Sequence, residues 1–440
     1  MVSNSYFMLC SSKLFWLKEW IMHPRINACI KEALRVERLT REEMMQLREE
    51  KVKRVVEHAI REVPYYRKWV VQLGKRAEDV RLEDFPVIAK QDIKGHENEF
   101  VADGWENRLS WTRTSGSTGE PFRFARSEFD YTYATLWRGM ARFGIKPGDK
   151  RVLVKGVDEN AKVSWRVRLK RKVYGWLNRC IVVDAHFLAK SQANILQELK
   201  RIKAYKPAYI HGYAASIYTL AQYADRQGMD LSGLKLKAIV TESEKCHDFQ
   251  RETMERVFGA PVVENYGCVE FGMIAQPARD GRLCINEDHV CVETTPDGEA
   301  IFTNLDEFGF PLIRFKNGDR IKLGGPHKEL PYRTIESIDG RVAETILLPG
   351  GGALQGYIVM YPISKHMRYI REYQVYQPAI DKLIIRIVEA EPLPESISSQ
   401  ILTEMREITG KGVGIEIQRV ETIPLTKRGK RAFVCSEARR

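Results

Sequence analysis

The stretch Ala208–Ser243, AYIHGYAASIYTLAQYADRQGMDLSGLKLKAIVTES, decides the fold. It begins with a short apolar run, AYIHGY, continues with an amphipathic run closed by Gly228, and ends with a second short apolar run, LKAIVTES. Short apolar runs bounded by turn residues indicate buried strands, whereas apolar residues recurring at helical spacing indicate a helix. Strand, helix and strand in succession predict two parallel strands joined by a helical crossover.

The same alternation continues on both sides of this stretch. The flanking segments are strands RVLVKG (151–156) and RCIVVDA (179–185), helix SQANILQELKRIKAY (191–205), helix HDFQRETMERVFG (247–259) and strand APVVENYG (260–267). We therefore predict an α/β domain with a largely parallel sheet. Ligands of such sheets bind where the carboxyl ends of the strands meet loops, and the segments IHGY, VTES and ENYG all lie at such ends.

The sequence outside this core predicts two other regions. The first hundred residues indicate helices, with Thr40 and Glu43 in a capping-box pattern and a helix end expected at Pro64. Residues 281–335 indicate short antiparallel strands with a Pro-Asp-Gly turn. The last hundred residues indicate a small α+β domain. Because Gly340 tolerates unusual backbone torsions, we expect a hinge there and domains of 1–340 and 341–440.

Composition excludes several classes of protein. The chain has 440 residues, 44% hydrophobic and 29% charged, which is typical of a globular protein of two or three domains. It contains no run of about 18 apolar residues, so we expect no membrane span. Its start lacks a signal-peptide pattern, and we expect a cytoplasmic protein.

The eight cysteines include no Cys-x-x-Cys pair. The irregular spacing of Cys268, Cys284, His289 and Cys291 favours buried thiols over a metal site.

Much of the net charge of +12 lies in one segment, SWRVRLKRKVYGWLNR (164–179), which has six basic residues and no acidic one. This segment is either a solvated helix face or a contact for an anionic substrate, a carrier protein, a phospholipid-linked acceptor or a membrane surface. No nucleic-acid-binding motif accompanies the charge, so we expect no nucleic-acid partner.

A loop rich in glycine and hydroxyl groups lies in WTRTSGSTGEPFRF (111–124). Two glycines allow the backbone to approach phosphate oxygens closely, and the neighbouring hydroxyls add hydrogen-bond donors. The residues concerned are Thr114, Ser115, Gly116, Ser117, Thr118 and Gly119. No segment of the chain matches Gly-x-x-x-x-Gly-Lys-Ser/Thr, so this is not a Walker loop. Taken alone, the loop is a linker, a tight turn or a phosphate-binding loop.

Four further motifs follow this loop: ENYGCVEFG (264–272), FPLIRFKNGDRIKL (310–323), IDGRVAE (338–344) and PLTKRGKRAFV (424–434). In this order the five resemble the adenylate-forming superfamily, which comprises acyl-CoA synthetases, luciferases and peptide-synthetase adenylation domains. The branch that the chain resembles most is that of the phenylacetate–CoA ligases and coenzyme F390 synthetases, which includes the CapK-like proteins. The resemblance extends from about residue 45 to residue 435.

The resemblance implies a large multi-sheet N-terminal adenylation domain followed by a small mobile α+β C-terminal domain. Enzymes of this family attack the α-phosphorus of ATP with a carboxylate, forming an acyl-adenylate and pyrophosphate. An acceptor, commonly the thiol of CoA, then takes the acyl group. The implied partners are therefore ATP, Mg²⁺, a small carboxylic acid and CoA or another acceptor.

The resemblance also assigns roles to individual residues. Lys430 would bridge the carboxylate and the α-phosphate, and Glu270 would help to hold Mg²⁺. Asp319 would bind the ribose hydroxyls, Arg341 the ribose or a phosphate, and Tyr266 the adenine face. The 114–119 loop would hold phosphates. The remaining residues implied for the nucleotide site are Thr241, Glu242, Ser243, Glu244, Asn265 and Gly267; those for the acyl pocket are His211, Gly212, Tyr213 and Ala214.

Three departures from the family pattern leave alternatives open. Phe122 follows Pro121 where many members have a lysine, Glu344 stands at the end of an altered hinge motif, and Gln276-Pro277 replaces the branch's Glu-Cys. The first hypothesis is a CoA ligase. The alternatives are an adenylating enzyme that passes the acyl group to a sugar, an amine or a carrier protein, and a non-catalytic nucleotide-binding homologue.

Overall fold

The chain folds into two compact units. The computed structural model describes residues 13–113, 123–127, 130–156, 165–341, 345–349, 352–410, 412–426 and 430–438. The first unit comprises Met1–Asn317 with Ile321–Ser337, and the second comprises Gly318–Arg320 with Ile338–Arg440. The expected domain boundary after residue 340 and the mobility of the second domain stay predictions.

The described helices are α1 (Lys13–Met22), α2 (Ile26–Val36), α3 (Arg41–Glu62), α4 (Pro64–Leu73), α5 (Lys90–Ile93), α6 (Asp130–Arg142), α7 (Trp165–Leu177), α8 (Ala185–Lys190), α9 (Gln192–Tyr205), α10 (Ala214–Arg226), α11 (Asp248–Phe258), α12 (Gly356–Ser364) and α13 (Glu395–Thr409). Among them, none combines the length and the apolar character needed to cross a bilayer.

The described strands are β1 (Ser110–Arg113), β2 (Arg123–Arg126), β3 (Arg151–Lys155), β4 (Cys180–Asp184), β5 (Tyr209–Gly212), β6 (Ala238–Thr241), β7 (Val262–Glu264), β8 (Tyr266–Cys268), β9 (Gly272–Pro277), β10 (Leu283–Ile285), β11 (Val290–Thr294), β12 (Glu299–Asn304), β13 (Phe315–Pro326), β14 (Arg333–Arg341), β15 (Thr345–Leu347), β16 (Ala353–Gln355), β17 (Ile370–Ala379), β18 (Lys382–Glu389), β19 (Gly414–Arg419) and β20 (Val434–Ser436).

The predicted α/β core is confirmed as a five-stranded parallel sheet in the order β4-β3-β5-β6-β7. Strands β5 and β6 are buried at every position, as expected of a sheet covered on both faces. Helices α10 and α11 connect the successive strands β5, β6 and β7. Gly228 and Gly259 follow these helices with φ of +60° and +64°, in the left-handed region that glycine adopts readily at a helix end.

The predicted antiparallel region is also confirmed, and it is part of a larger sheet. Strands β11 and β12 form an antiparallel hairpin, in which Gly298 adopts φ of +85° and donates its N–H to the carbonyl oxygen of Thr295 at 2.9 Å. The sheet has seven strands in the order β11-β12-β13-β14-β10-β9-β8. It therefore begins at Tyr266, which lies N-terminal to the expected start at residue 281.

The N-terminal capping box is confirmed, but the expected helix end at Pro64 needs a correction. Glu43 donates its N–H to the Thr40 hydroxyl at 3.2 Å, and the Glu43 carboxylate accepts the N–H of Thr40 at 2.7 Å. Helix α3 ends at Glu62, and Pro64 is the first residue of a new helix, α4. Proline suits a first helical position because that position needs no N–H donor within the helix.

A buried ion pair stabilises the packing of α6 against the large sheet. The Arg138 guanidinium is 1% exposed and donates to both carboxylate oxygens of Asp288 at 2.8 and 2.9 Å. Tyr131 donates to the same carboxylate at 2.5 Å. Burial acts to raise the pKa of Asp288, but the Arg138 charge outweighs it and holds that pKa well below its usual range. Removing either partner would leave an uncompensated buried charge.

The second unit contains a four-stranded sheet in the order β19-β18-β17-β20, against which α12 and α13 pack. The α+β character predicted for the last hundred residues is confirmed, with β18, α13 and β19 in succession and β18 parallel to β19. Strands β17 and β20 were not predicted from the sequence. Strand β17 pairs antiparallel to β18 and parallel to β20.

Candidate functional site

The ends of the predicted phosphate loop are held close together by a strand pair. Residues 114–119 themselves lie outside the described residues. On either side of them, β1 and β2 pair antiparallel, with Ser110 opposite Arg126 and Arg113 opposite Arg123. The loop therefore connects two adjacent strands.

A buried carboxylate anchors the end of β2. Glu307 is 6% exposed and accepts hydrogen bonds from the backbone N–H groups of Ser127, Gly309 and Phe310 at 2.9, 3.0 and 3.2 Å. The Ser127 hydroxyl is a further donor to this carboxylate. Several N–H donors on one carboxylate form a strong, charge-assisted arrangement. Glu307 therefore fixes the strand that leaves the loop, and sequence analysis did not identify it.

The parallel sheet brings together three of the segments expected to bind ligand. Gly212, at the end of β5, pairs with Thr241, at the end of β6, and Thr241 pairs with Glu264, at the end of β7. The backbone continues these links, because Glu242 donates its N–H to the Gly212 carbonyl at 3.1 Å and Asn265 donates to the Thr241 carbonyl at 2.9 Å. IHGY, VTES and ENYG therefore lie side by side at one edge of the sheet.

Three side chains at this edge are buried, and among the described residues they lack hydrogen-bond partners. They belong to His211, Thr241 and Asn265, which are 5%, 0% and 5% exposed. Both ring nitrogens of His211, the Thr241 hydroxyl and both polar atoms of the Asn265 amide have no hydrogen-bond partner within the described chain. A buried polar group without a partner costs about 1 to 3 kcal/mol. Such a cluster suits a polar ligand that would supply the missing partners.

His211 also lies beside a carboxylate. Its Nε2 is 3.0 Å from Glu242 Oε2, although the two groups are not aligned as a hydrogen bond. The Glu242 side chain is 29% exposed, so this carboxylate lies between the buried edge and solvent.

The segment that follows β6 is held in an unusual backbone conformation. Ser243 has φ of +71°, which is uncommon for a residue other than glycine. On one side, Glu244 Oε1 accepts the N–H of Ala215 in the first turn of α10 at 2.6 Å. On the other, Glu264 Oε1 accepts the N–H of Cys246 at 2.9 Å. Backbone strain of this kind occurs often at ligand-binding sites.

Gly212 marks a close approach of two strands. Its φ is +151°, and a Cβ atom at this position would lie 1.9 Å from the carbonyl oxygen of Val154. That carbonyl already accepts the N–H of Tyr213 at 3.1 Å. Glycine is therefore required where β5 turns into α10, and Tyr213 and the buried Ala214 follow directly at the start of that helix.

Glu270, the acidic residue of the ENYGCVEFG motif that was expected to hold Mg²⁺, lies on the short connection between β8 and β9. Tyr266 is 9% exposed, so little of its ring is accessible. The two strands approach closely at Gly267, because a Cβ atom there would lie 2.2 Å from the Gly272 carbonyl oxygen. Glu270 is 7% exposed between these strands. A carboxylate this buried suits a site that supplies a cation.

A cation that sequence analysis missed, Arg126, lies near Glu270. Burial lowers the pKa of the Arg126 guanidinium, while the charges of Glu307 and Glu270 act to raise it. Its Nη2 would lie 3.4 Å from a Cβ on Gly272, which places it beside the β8–β9 connection. In the sequence, the one indication of a site role for Arg126 is its position just after the predicted phosphate loop, in the segment FRFAR.

The remaining expected site residues lie in the second unit. Asp319 is 6% exposed on β13. Arg341 ends β14, and residues 342–344, part of the expected hinge, lie outside the described residues. Lys430 donates its N–H to the Thr426 hydroxyl at 3.0 Å, and its carbonyl oxygen accepts the Thr426 N–H at 2.9 Å. The roles assigned to these three residues stay predictions.

Three of the four residues considered for a metal site, His289, Cys284 and Cys291, serve the fold. Both ring nitrogens of His289 are engaged: Nδ1 lies 2.8 Å from the Asp306 carboxylate, and Nε2 lies 2.8 Å from the Phe271 carbonyl oxygen. Cys284 and Cys291 are buried, and burial raises the pKa of each thiol to about 11. These thiols therefore stay protonated, as expected of core residues.

The chain resembles known proteins in sequence and in fold. Residues 351–437 match the model of the CapK C-terminal domain. Protein CapK of Staphylococcus aureus is 25% identical over 382 residues, 82% of this chain and 81% of that protein. Phenylacetate-coenzyme A ligase of Pseudomonas putida is 24% identical over 397 residues, 84% and 88% of the two chains.

A solved structure of 2-hydroxyisobutyryl-CoA ligase, in the postadenylation state in complex with R3-HIB-AMP, matches the fold with a TM-score of 0.70. The match covers 92% of each chain at 16% sequence identity. The mixed α/β architecture with several sheets and a C-terminal domain is therefore shared with an acyl-CoA ligase.

Proposed function

We propose that this chain, a homologue of the CapK and phenylacetate–CoA ligase branch of the adenylate-forming enzymes, activates a carboxylic acid with ATP and transfers the acyl group to the thiol of CoA. The observation that carries the proposal is the cluster of buried polar atoms without hydrogen-bond partners on His211, Thr241 and Asn265, at the carboxyl edge of the parallel sheet. This is the edge at which α/β sheets bind ligands. An adenylate offers hydroxyl, phosphate and carbonyl groups to such atoms.

In the first step, a carboxylate oxygen forms a bond to the α-phosphorus of ATP, and the bond to pyrophosphate breaks. Both reactants are anions, so positive charge must stabilise the transition state. In this proposal Lys430 supplies that charge between the carboxylate and the α-phosphate. Arg126 lies near Glu270 and adds a second positive group. Bound Mg²⁺ would neutralise phosphate charge, and the buried Glu270 would hold it; magnesium sites of this kind often use one or two carboxylates together with phosphate oxygens.

The nucleotide would lie along the edge formed by the ends of β6, β7 and β8. Thr241 and Asn265 would bind it through the polar atoms that lack partners, with Glu242, Ser243, Glu244, Tyr266 and Gly267 beside them. Asp319 would accept hydrogen bonds from the ribose hydroxyls, and Arg341 would support the ribose or a phosphate. The loop 114–119 would hold the β- and γ-phosphates.

The carboxylic acid would lie at the end of β5, near His211, Gly212, Tyr213 and Ala214. In the second step, the thiol sulfur attacks the acyl carbon, the thiol loses its proton, and AMP leaves as the acyl–phosphate bond breaks. We propose that the second domain rotates about residues 339–344 between the two steps. The screen of carboxylic acids described below would identify the class of acid that the enzyme uses.

A second candidate keeps adenylation and changes the acceptor to a sugar, an amine or a carrier protein, as polysaccharide biosynthesis would require. The CapK relative and the basic segment 164–179, which would contact an anionic partner, favour it. A non-catalytic nucleotide-binding role is a third candidate, disfavoured by the retention of Glu270, Asp319 and Lys430. We propose a cytoplasmic location, because none of the described cysteines forms a disulfide, as in a reducing compartment.

The proposal is tested by measuring ATP-dependent release of pyrophosphate from the full chain across aryl, fatty and amino acids with Mg²⁺. We expect release that depends on one class of acid, and acyl transfer to CoA in the presence of that acid. Release without transfer to CoA, but with transfer to an amine or sugar, would favour the second candidate. The absence of both release and binding of ATP or an adenylate analogue would overturn the enzymatic proposal.

A further inference from the structure

Helices α1 and α7, at distant positions in the sequence, pack together in the first unit through Lys18. Its Nζ donates to Asn178 Oδ1 at 2.5 Å and lies 5.1 Å from the centre of the Tyr174 ring. On α1 itself, the same ammonium lies 4.9 Å from the centre of the Phe15 ring and pairs with Glu19. A largely buried cation thus joins the two helices, and their exposed residues together are here called the α1–α7 face.

This α1–α7 face exposes an unusual number of large apolar side chains. They are Leu17, Trp20, Ile21 and Met22 on α1, and Leu169, Val173 and Trp176 on α7. Trp20 is 62% exposed and Trp176 68% exposed. On α7, Leu169, Val173 and Trp176 are spaced i, i+4 and i+7, so they share one side of the helix. Exposed apolar side chains concentrated on two neighbouring helices are typical of an interaction surface.

The same face is strongly basic. Arg166, Lys170 and Lys172 on α7 are exposed beside the apolar side chains. A shallow groove of about 410 Å³ runs along this helix, and Arg166 and Lys170 line it together with Leu169, Val173, Tyr174 and Leu177. The whole segment 164–179 has six basic residues and no acidic one. The partner must therefore be anionic and must also accept apolar side chains.

We propose that the α1–α7 face binds the surface of an anionic lipid bilayer. Exposed tryptophans and aliphatic side chains beside Lys and Arg are typical of elements that lie in the membrane interface. Basic residues add attraction to anionic headgroups. A second copy of the chain is disfavoured, because it would bring two positive faces together. Nucleic acid would satisfy the charge but would not cover the aliphatic side chains.

The proposed contact is peripheral. Helix α1 has 10 residues and α7 has 13, which are too short for a span, so both would lie along the surface. Activity at a bilayer would bring the chain close to a lipid-linked acid or acceptor. The membrane proposal does not depend on the proposed adenylation step, since its residues lie outside the candidate nucleotide and acyl sites.

The test is co-sedimentation of the full chain with vesicles of phosphatidylcholine alone and of phosphatidylcholine mixed with phosphatidylglycerol. We expect binding to the anionic vesicles that weakens as salt screens the charges. Replacing Arg166, Lys170 and Lys172 with Gln should weaken that binding by roughly a hundredfold, because each basic residue near an anionic surface contributes about 1 kcal/mol. The double variant Trp20→Ser/Trp176→Ser should also weaken it and reduce the blue shift of tryptophan emission on binding.

Matched control variants change exposed residues elsewhere on the first unit. Val71 is 78% exposed, and Val71→Ser removes an exposed apolar side chain. Lys53, Lys68 and Arg76 have exposed side chains, and replacing all three with Gln removes the same charge as the α7 variant. Both controls should bind anionic vesicles as the parent chain does. Pyrophosphate release without vesicles should be unchanged in the α1–α7 variants, which separates this proposal from the proposed function.

Three outcomes would overturn the membrane proposal. The first is binding to anionic vesicles no stronger than to phosphatidylcholine alone. The second is binding that the α1–α7 variants leave intact. The third is a concentration-dependent dimer that the same variants abolish, which would assign the face to self-association.

Discussion

The backbone N–H of Asn265 donates to the carbonyl oxygen of Thr241 at 2.9 Å, while the side chains of both residues are buried and unpaired within the described chain. The backbone of this edge is therefore satisfied, and the unsatisfied groups are side chains from neighbouring segments. In an ordinary core such groups would be apolar or would bond to one another. The buried polar side chains without partners lower the stability of the protein, as is common at ligand-binding sites.

Thr241→Val should therefore stabilise the ligand-free protein and weaken ligand binding. Valine has nearly the same shape but lacks the buried hydroxyl, so we expect the free energy of unfolding to rise by about 1 kcal/mol. Denaturant unfolding without ligand measures this change. Titration calorimetry with a non-hydrolysable acyl-adenylate analogue should show weaker binding.

The matched control for this prediction is Thr303→Val. Thr303 is also fully buried on a strand, but its hydroxyl accepts the N–H of Arg314 at 2.9 Å. The substitution should lower the free energy of unfolding, because it leaves that N–H without its acceptor. A loss of stability in Thr241→Val as large as in Thr303→Val would contradict the ligand-binding interpretation of Thr241.

Gly212→Ala should destabilise the first unit strongly. The added Cβ would lie 1.9 Å from the Val154 carbonyl oxygen, and the φ of +151° is unfavourable for alanine. We expect a loss of about 3 kcal/mol in the free energy of unfolding. Gly233→Ala is the control, because a Cβ there has no neighbour within 4 Å among the described residues. A small loss in Gly212→Ala, similar to that of the control, would show that β3 and β5 can move apart.

The sequence was sufficient to predict the parallel core because local patterns specify it. Strands β5 and β6 are short apolar runs, and Gly228 and Gly259 close the helices beside them. The ends of parallel strands meet at one edge, so the meeting of His211, Thr241 and Asn265 also followed from the sequence. Which polar atoms lack partners did not follow, because that depends on packing from the whole sheet.

Other features depend on contacts between distant segments. Arg126 occupies an ordinary strand position, and its significance comes from Glu270 and Glu307, which are remote in sequence. The basic character of 164–179 was evident, but the apolar half of the α1–α7 face was not. An apolar residue such as Trp20 is normally assigned to the core, and only the packing of α1 shows that it is exposed.

Stability should depend on pH through His247. Burial, together with the charge of Lys245, lowers the pKa of His247 from 6.5 to about 4, against the opposing effect of Asp248. Between these values the unfolded state binds a proton that the folded state does not. The free energy of unfolding should therefore fall as pH drops from 6.5 towards 4, by about 3 kcal/mol from this residue.

His247→Asn removes the titrating ring, so the difference between the unfolding free energies of parent and variant should vary with pH over this range. Denaturant unfolding at several pH values measures it. His96→Asn, at an exposed position, controls for the loss of an imidazole. A pH-independent difference for His247→Asn would contradict the assignment.

Arg126→Met should impair the first chemical step while preserving the fold. Methionine fills much of the buried volume but removes the charge near Glu270, so we expect carboxylate-dependent pyrophosphate exchange to fall by roughly a hundredfold. Arg126→Lys should retain part of the activity. Arg123 lies on the same strand but is exposed, stacked 4.2 Å from the centre of the Trp111 ring, and Arg123→Met is the control. Equal losses in both methionine variants would indicate a general effect on the β1–β2 pair.

Lys430→Ala should abolish carboxylate-dependent pyrophosphate exchange and leave the fold intact. The backbone of Lys430 is held by its two hydrogen bonds to Thr426, neither of which involves the lysine side chain, so the substitution removes a charge without removing these bonds. We expect a loss of at least about a hundredfold, because the charge is needed where two anions meet.

Lys382→Ala, at a side chain 47% exposed in the same unit, is the matched control. Circular dichroism and thermal unfolding check the fold, and isotope exchange between pyrophosphate and ATP measures the activity. Exchange in Lys430→Ala equal to that of the control would exclude Lys430 from the first step, whereas partial activity in Lys430→Arg would support a role for its positive charge.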